Sequence, residues 1–148
     1  MNNKIPPPIV TLFFGLCIFY SKEYFPQIDH NAMGILSLIS FVAGISILVL
    51  AVRAFKNQDT TVNPISIEKA SSLVVSGIFK YSRNPMYLGM VLILLGLSFE
   101  FNMIGGFLSI VAFVTFITFF QIKPEEMAMK KIFGQEFVAY QKNVRRWL

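Results

Sequence analysis

One run of the sequence, residues 32–52, contains no charged side chain. At a rise of about 1.5 Å per residue, a helix of this length matches the hydrocarbon core of a bilayer, which is about 30 Å thick. The composition agrees, since 14% of the residues are charged and 55% are hydrophobic, whereas soluble domains carry about a quarter charged residues. The charges are segregated from the apolar runs, so we predict one integral membrane domain over residues 1–148.

Three further apolar runs bring the predicted number of membrane-spanning helices to four. They cover residues 5–21, 86–99 and 103–122. The third span, 86–99, would reach about 21 Å as a helix, which is short for a bilayer, so we expect its start to lie at membrane depth. Residues 100–102 leave room only for a tight turn, and the third and fourth spans are therefore expected to form an antiparallel hairpin.

The pattern changes after Pro124, where charged residues become frequent. Apolar side chains now recur at helical spacing, which predicts an amphipathic helix on the membrane surface. The predicted fold is therefore all-α and integral to the membrane, with four transmembrane helices and a cytoplasmic amphipathic C-terminal helix. The apolar face of that last helix consists of Met129, Ile132, Phe133, Phe137 and Tyr140.

The basic residues orient the predicted spans. Four spans place both termini on one side, and the segments on that side hold twelve of the thirteen Lys and Arg residues, with Lys22 on the other. Because basic residues concentrate in cytoplasmic segments, both termini are predicted to be cytoplasmic, and we expect a bacterial inner membrane. Orientation and anionic lipid account for the net charge of +5, so no nucleic-acid partner is expected.

The sequence offers little support for a metal site or for ion-coupled transport. Cys17 stands alone in an apolar run and His30 is the only histidine, so we expect no disulfide and no metal centre. A small transporter usually needs an ionisable side chain within a span, and the predicted spans contain no Asp, Glu, Lys, Arg or His. The polar segment 57–72 is long for a connection between spans, which indicates a role of its own.

A first candidate site lies at Arg83-Asn84-Pro85, where a helix is expected to start. Asn84 suits the N-cap and Pro85 the first helical position, which is a sufficient structural reason for both. The same geometry also binds anions, because a helix N-terminus beside Arg83 attracts a group such as a carboxylate. Interfacial aromatic side chains are ordinary in membrane proteins but also suit stacking on a planar base; three lie nearby, Phe79, Tyr81 and Tyr87.

A second candidate site is the pair Glu125 and Glu126, directly after Pro124. Acidic residues in the first turn of a helix complement its dipole, and that structural account is adequate by itself. Yet a carboxylate beside the membrane is costly when unpaired, and it can accept hydrogen bonds from the hydroxyls of a ribose or offset a cationic ligand. The predicted topology places this pair on the same cytoplasmic face as the first candidate site.

Four short motifs follow one another in the second half of the chain. They are Leu-Val-Val-Ser-Gly at 73–77, Arg-Asn-Pro-Met-Tyr-Leu-Gly at 83–89, Glu-Glu at 125–126 and Phe-Gly-Gln-Glu-Phe-Val-Ala-Tyr at 133–140. In order and spacing they resemble the isoprenylcysteine carboxyl methyltransferase family and, more distantly, the phospholipid N-methyltransferases of membranes. The resemblance covers residues 60–146.

The resemblance implies a membrane methyltransferase that uses S-adenosylmethionine and methylates a carboxyl, amine or thiol group of a lipophilic molecule or lipid. Its cofactor segments would be 72–89 and 123–146. Glu125 would hold the cofactor at its ribose, while Arg83 would orient the reactants and Glu126 would act electrostatically. The other cofactor-binding residues implied by matching position are Ser72, Leu73, Val74, Phe79, Asn84, Pro85 and Tyr87.

Asn84 departs from the family pattern, because histidine is usual at its position. Asparagine keeps hydrogen-bonding capacity but has no charge and transfers no proton. A phospholipid N-methyltransferase is one alternative function. A non-catalytic membrane protein with the same fold and a small transporter are alternatives of another class, and the sequence leaves the methyl acceptor and the oligomeric state open.

Overall fold

The structure, a computed structural model, describes residues 5–26, 33–57 and 72–148. His30 and nearly all of the polar segment 57–72 lie outside the described residues, so the expectations about them stay predictions. Within these ranges all regular structure is helical. The elements are α1 (Pro7–Ser21), α2 (Met33–Lys56), a 3₁₀ turn (Gly77–Lys80), α3 (Pro85–Phe101), α4 (Met103–Ile117), a π-helical segment (Thr118–Ile122) and α5 (Lys123–Asn143).

Proline and asparagine mark the helix starts. Pro7 and Pro85 are the first residues of α1 and α3, where the fixed φ and missing N–H of proline cost little. Asn102 caps α4, because its side-chain oxygen accepts a hydrogen bond of 2.8 Å from the backbone N–H of Gly105. Asn84 occupies the N-cap position of α3, as predicted, but its side chain makes no capping bond there.

Each predicted span falls on a helix, with different ends. Helix α2 continues past the predicted end at 52 to Lys56, and α3 covers two residues more than predicted beyond residue 99. By length and hydropathy, α2 and the helical stretch Met103–Asn143, which has a kink at Gly134, are candidate membrane-spanning helices, whereas α1 and α3 are apolar but shorter. The arrangement of four spans therefore stays a prediction.

The fourth predicted span does not end in a break before Pro124. Helix α4 passes through the π-helical segment into α5 without leaving helical backbone angles. Pro124 lacks the N–H that would bond the carbonyl one turn earlier, and its ring would clash with that carbonyl in an α-helix. The wider π-helical turn before Pro124 accommodates both the missing bond and the ring. Glu125 and Glu126 therefore lie within a continuous helix, and the expectation that they complement the dipole of a free helix start is wrong.

Helices α2 and α3 pack backbone against backbone. A Cβ atom at Gly44 would lie 2.8 Å from the carbonyl oxygen of Gly89, and one at Gly89 would lie 2.9 Å from that of Gly44. Small residues at such contacts let helices approach closely within a membrane. Helix α3 also packs against α1 and α4, and the main core of these helices comprises Val10, Ile18, Tyr87, Met90, Leu94, Phe113, Ile117 and Ile122.

The outer faces of α1, α2 and α4 are apolar as well. Large hydrophobic side chains there are more than half exposed, which is far more apolar surface than a soluble monomer usually presents. A lipid environment explains this distribution, because the bilayer solvates such side chains. Examples are Leu12, Phe13, Ile35, Leu38 and Phe107.

Candidate functional site

A pocket opens at one end of the helices, where the end of α2, the segment 72–84 and α5 meet. Its cavity volume is about 130 Å³. The pocket is lined by Phe55, Leu73, Val74, Phe79, Arg83, Asn84, Glu125, Glu126, Met129, Phe137 and Tyr140.

One wall of the pocket is apolar and is built around Phe79. Gly77 has a φ of 59°, which side-chain-bearing residues rarely adopt, and it leads the chain into the 3₁₀ turn that buries Phe79. The Phe79 ring meets the Phe55 ring edge to face, with 5.2 Å between centroids. The hydroxyl of Tyr140 donates a 2.6 Å hydrogen bond to the backbone carbonyl of Phe79, and burial raises the pKa of Tyr140 to about 12, so the donor keeps its proton. Leu73, Val74 and Phe137 complete this wall.

Glu125 reaches the pocket from α5, three residues beyond the end of the predicted fourth span at 122. Its Oε1 accepts a 2.6 Å hydrogen bond from the hydroxyl of Tyr87, which stands behind it in α3. Burial raises the pKa of Glu125 to about 7; the Tyr87 bond lowers this pKa and the charge of Glu126 raises it. Near neutral pH this carboxyl group therefore exchanges between its neutral and ionised forms.

Glu126 is held by two arginines. Its Oε1 accepts hydrogen bonds from Arg83 Nη2 at 2.8 Å and Arg146 Nε at 3.0 Å, and its Oε2 accepts one from Arg146 Nη2 at 2.7 Å. The Arg83 and Glu126 side chains are 11% and 14% exposed, so their pairing is largely desolvated. Hydrogen bonding to Glu126 raises the pKa of Arg146. We call these three residues the arginine–glutamate cluster.

The chain after α5 folds back across the start of α3. The backbone N–H of Arg83 donates to the carbonyl of Arg145 at 3.1 Å. The side-chain Nδ2 of Asn84 donates to the carbonyl of Arg146 at 2.9 Å. Ser82 and Asn84 are linked as well, by a 3.1 Å bond from the Asn84 N–H to the Ser82 hydroxyl. The side chain of Asn84 thus fastens the tail rather than capping α3.

Two buried side-chain atoms among the described residues have no hydrogen-bond partner, Arg83 Nε and Gln121 Oε1. An unpaired buried polar atom costs about 1–3 kcal/mol. Arg83 is also one of the residues that line the pocket. Gln121 lies in the π-helical segment, outside the lining.

The structure brings most of the sequence-predicted site residues to one place. Seven of them line the pocket: Leu73, Val74, Phe79, Arg83, Asn84, Glu125 and Glu126. The other three do not. Tyr87 contacts Glu125 from behind, Pro85 is buried at the first position of α3, and Ser72 lies at the edge of the segment that forms the apolar wall.

Sequence reasoning missed several residues of the site. Arg146 lies at the end of the predicted cofactor segment 123–146 but was not among the predicted site residues, and no local signal indicates that it pairs with Glu126. Phe55 was missed because it is one apolar residue among many at the end of a span. The helical spacing of Met129, Phe137 and Tyr140 did predict an apolar helix face, but it did not indicate that this face lines the pocket.

The residues that match a known family lie on both sides of this pocket. The family model described as phospholipid methyltransferase matches residues 32–136, which includes the segment 72–84 and the first half of α5. An uncharacterized protein of Haemophilus influenzae is 38% identical over 63 residues, which are 43% of this chain and the whole of that protein. No solved structure matches the chain.

Proposed function

The chain belongs to the phospholipid methyltransferase family, and from that premise we propose that it transfers a methyl group from S-adenosylmethionine to a lipophilic or lipid-embedded acceptor. The observation that carries this proposal is the convergence of three features on one pocket. They are an apolar wall, a buried carboxyl group at Glu125 and an unpaired N–H of Arg83. Each suits a different part of the cofactor.

The apolar wall suits the adenine base. A planar base gains by stacking on aromatic side chains, and Phe79 and Phe55 offer rings at the wall while Leu73 and Val74 supply aliphatic surface. Glu125 suits the centre of the cofactor, because a carboxylate accepts hydrogen bonds from ribose hydroxyls and attracts a sulfonium cation. Tyr87 would then act by fixing the orientation of Glu125 through their 2.6 Å bond.

The unpaired Nε of Arg83 suits the carboxylate at the amino-acid end of the cofactor. Two guanidinium groups share the single carboxylate of Glu126, so the arginine–glutamate cluster has an excess of positive charge. Charge-assisted bonds from guanidinium to carboxylate are among the stronger hydrogen bonds in proteins. An anionic group at Arg83 would satisfy the donor and balance the charge at once.

S-adenosylmethionine, when bound, supplies an electrophilic methyl group on a sulfonium. The contribution of the chain is then to position the reactants and exclude water. The bond to Glu126 fixes the guanidinium of Arg83, which supports an orienting role for that arginine. Glu126 exerts its electrostatic effect through Arg83 and Arg146, and Asn84 keeps the tail in place beside them.

We further propose that α1 to α4 all cross the membrane and that the pocket opens on the cytoplasmic side. The distribution of basic residues supports this orientation, and the exposed apolar faces of the helices support lipid around them. A lipophilic acceptor would then approach from the bilayer. The family match favours one acceptor in particular, the head group of a phospholipid.

Cofactor binding tests the proposal directly. Titration of S-adenosylmethionine into the full chain in detergent should give a calorimetric heat with micromolar-range affinity, and Glu125→Ala should weaken it. Glu136→Ala is the matched control, because Glu136 is an exposed acid of the same helix. Absence of any binding heat in the unmodified protein contradicts the proposal.

Turnover separates an enzyme from a non-catalytic relative of the same fold. Incubation with radiolabelled methyl donor and a membrane lipid extract should label a lipid, which mass spectrometry then identifies. Labelling of a phospholipid would support the phospholipid alternative. Cofactor binding without any labelled product would show a non-catalytic protein.

A further inference from the structure

Arg83 and Arg146 share the carboxylate of Glu126 unequally. Arg146 bonds both of its oxygens, since Nε donates to Oε1 at 3.0 Å and Nη2 donates to Oε2 at 2.7 Å. Arg83 bonds Oε1 alone, through Nη2 at 2.8 Å. The parallel N–H groups at Nε and Nη2 of a guanidinium fit the two oxygens of one carboxylate. Arg146 therefore uses this pair of donors in full, whereas Arg83 uses half of it.

The unused donor of that pair is the Nε of Arg83. It is buried and has no hydrogen-bond partner, although Nη1 of the same guanidinium donates to the backbone carbonyl of Gln141 at 3.4 Å. An arginine that faces a carboxylate alone frequently bonds it with both donors. Here the second oxygen of Glu126 is already bonded to Arg146, and this competition explains why one donor of Arg83 is left without an acceptor.

The tail is held by backbone bonds as well as by the Arg146 side chain. The carbonyl of Arg145 accepts from the backbone N–H of Arg83 at 3.1 Å. The carbonyl of Arg146 accepts from Nδ2 of Asn84 at 2.9 Å. Trp147 packs against the main core. Substitution of the Arg146 side chain should therefore leave the path of the tail in place.

Arg146 stands behind the pocket rather than in its wall. Arg83 and Glu126 line the pocket, and Arg146 is not among its described lining residues. The Arg146 side chain is 35% exposed, whereas that of Arg83 is 11% exposed. An effect of Arg146 on a ligand in the pocket would therefore be transmitted through Glu126 and Arg83.

Resting on the proposed function, we infer that Arg146 is a positioning residue, which occupies Glu126 and so keeps the guanidinium of Arg83 available to the carboxylate of S-adenosylmethionine. Without Arg146, Glu126 can turn both oxygens to Arg83, and the resulting pair has no net charge. With Arg146 in place, two guanidinium groups against one carboxylate leave an excess of one positive charge and an unused donor on Arg83. That excess charge attracts a carboxylate.

Two ligands that differ by one carboxylate test this inference. Calorimetry on the full chain in detergent gives the affinity for S-adenosylmethionine and for its decarboxylated form. The unmodified protein should prefer S-adenosylmethionine about tenfold or more, as expected for hydrogen bonds to a charged group. Arg146→Gln should largely abolish this preference, while the affinity for the decarboxylated form should not fall. A preference that persists in Arg146→Gln, or an equal loss of affinity for both ligands, overturns the inference.

Two further variants separate the side chain of Arg146 from its charge and its place in the tail. Arg145→Ala is the matched control, because the Arg145 side chain is exposed and alanine keeps the carbonyl that bonds Arg83. Its preference should equal that of the unmodified protein. Arg146→Lys retains a positive charge but lacks the two parallel donors, so much of the preference should be lost. Full preference in Arg146→Lys would overturn the role of the two-point bond.

Removal of Glu126 together with Arg146 gives a readout that a purely structural role would not move. If Arg146 acts by occupying Glu126, the double variant Arg146→Gln/Glu126→Gln has no carboxylate left to neutralise Arg83. Its preference for S-adenosylmethionine over the decarboxylated form should therefore return, measured below the Tm of the variant. A double variant without preference would mean that Arg146 binds the ligand itself or only supports the fold, and either result overturns the inference.

The same measurements distinguish failure of this inference from failure of the proposed function. If the unmodified protein binds neither ligand, the proposed function fails and this inference fails with it. If the protein binds S-adenosylmethionine but does not prefer it over the decarboxylated form, or if position 146 has no effect on that preference, only this inference fails.

Discussion

Glu125 and Glu126 are adjacent in the sequence, yet the fold gives their carboxyl groups opposite surroundings. Glu125 lies against apolar side chains, and the hydroxyl of Tyr87 donates to it. Glu126 accepts three hydrogen bonds from two guanidinium groups, all of 3.0 Å or less. The two acids of one motif therefore have different partners: Glu126 joins Arg83 to Arg146, and Glu125 is bonded to Tyr87.

The different surroundings of Glu125 and Glu126 follow from helix geometry. Successive residues of an α-helix point about 100° apart, so one acid of a pair faces α3 while the next faces the start of α3 and the returning tail. Because the helix is continuous through Lys123 and Pro124, the rotation at these positions is fixed. A loop before Glu125 would not have imposed it.

The largest effect is expected from Glu126→Gln, which removes the shared partner of Arg83 and Arg146. Breaking a largely desolvated ion pair by removing one partner costs about 3 kcal/mol, and we expect Tm in detergent to fall by about 5–10 °C. Glu136→Gln, at an exposed position of the same helix, should leave Tm unchanged. Equal stability of Glu126→Gln and the unmodified protein would remove the distinction between the two acids.

Glu125→Gln should have the reverse profile, with weaker cofactor binding and no loss of stability. Gln keeps an oxygen for Tyr87 but cannot carry the charge, and hydrogen bonds to charged groups contribute about 1.5–3 kcal/mol, so affinity for S-adenosylmethionine should fall about 10- to 100-fold. Burial disfavours the ionised form of Glu125, so the neutral variant should not lower Tm. A fall in Tm as large as that of Glu126→Gln would show that both acids are structural.

The affinity for S-adenosylmethionine should depend on pH in the range set by Glu125. Its pKa is raised to about 7 by burial, and the ionised form is the one that attracts a sulfonium and accepts hydrogen bonds from a ribose. Affinity should therefore rise about tenfold from pH 6 to pH 8, as one group titrates near the middle of that range. The rise should vanish in Glu125→Gln. Persistence of the same profile in that variant would assign it to another group.

The same ionisation affects stability in the opposite sense. The pKa of Glu125 is raised above its ordinary value in the folded protein, so the folded state favours the protonated form. Its contribution to stability is therefore present below the ordinary pKa and is lost as pH rises through about 7. Cofactor binding and stability should thus change in opposite directions across this pH range.

The sequence carried enough information for the helices and for most of the pocket lining. Hydropathy located α1 to α4 because the length of an apolar run is a property of local sequence. The order of the motifs indicated that Leu73, Arg83 and Glu125 belong to one site. Local sequence did not carry the contacts of the tail. Arg146 and Asn84 are 62 residues apart, and no periodic pattern connects them.

Two local features were also missed for physical reasons. Glu125 and Glu126 were assigned to the first turn of a helix, but the π-helical segment before Pro124 accommodates its missing N–H and keeps the helix continuous. Gly134 has a φ of 53° and interrupts α5, whereas the spacing of Met129, Phe137 and Tyr140 predicted an unbroken helix. In both places the backbone conformation, a π-helical turn before Pro124 and a positive φ at Gly134, is not evident from the spacing of the apolar side chains.

The smallest expected effect isolates the bond that distinguishes Glu125 from Glu126. The 2.6 Å hydrogen bond from Tyr87 lowers the pKa of the Glu125 carboxyl group, and Tyr87→Phe removes this bond. The midpoint of the pH dependence of cofactor affinity should therefore move upward, and affinity at pH 7 should fall about two- to fivefold, the range expected for one hydrogen bond. Tyr81→Phe is the matched control, since Tyr81 is 75% exposed. Because the arginine–glutamate cluster is untouched, Tm should change much less than in Glu126→Gln; a midpoint that stays or moves downward would mean that Tyr87 does not tune Glu125.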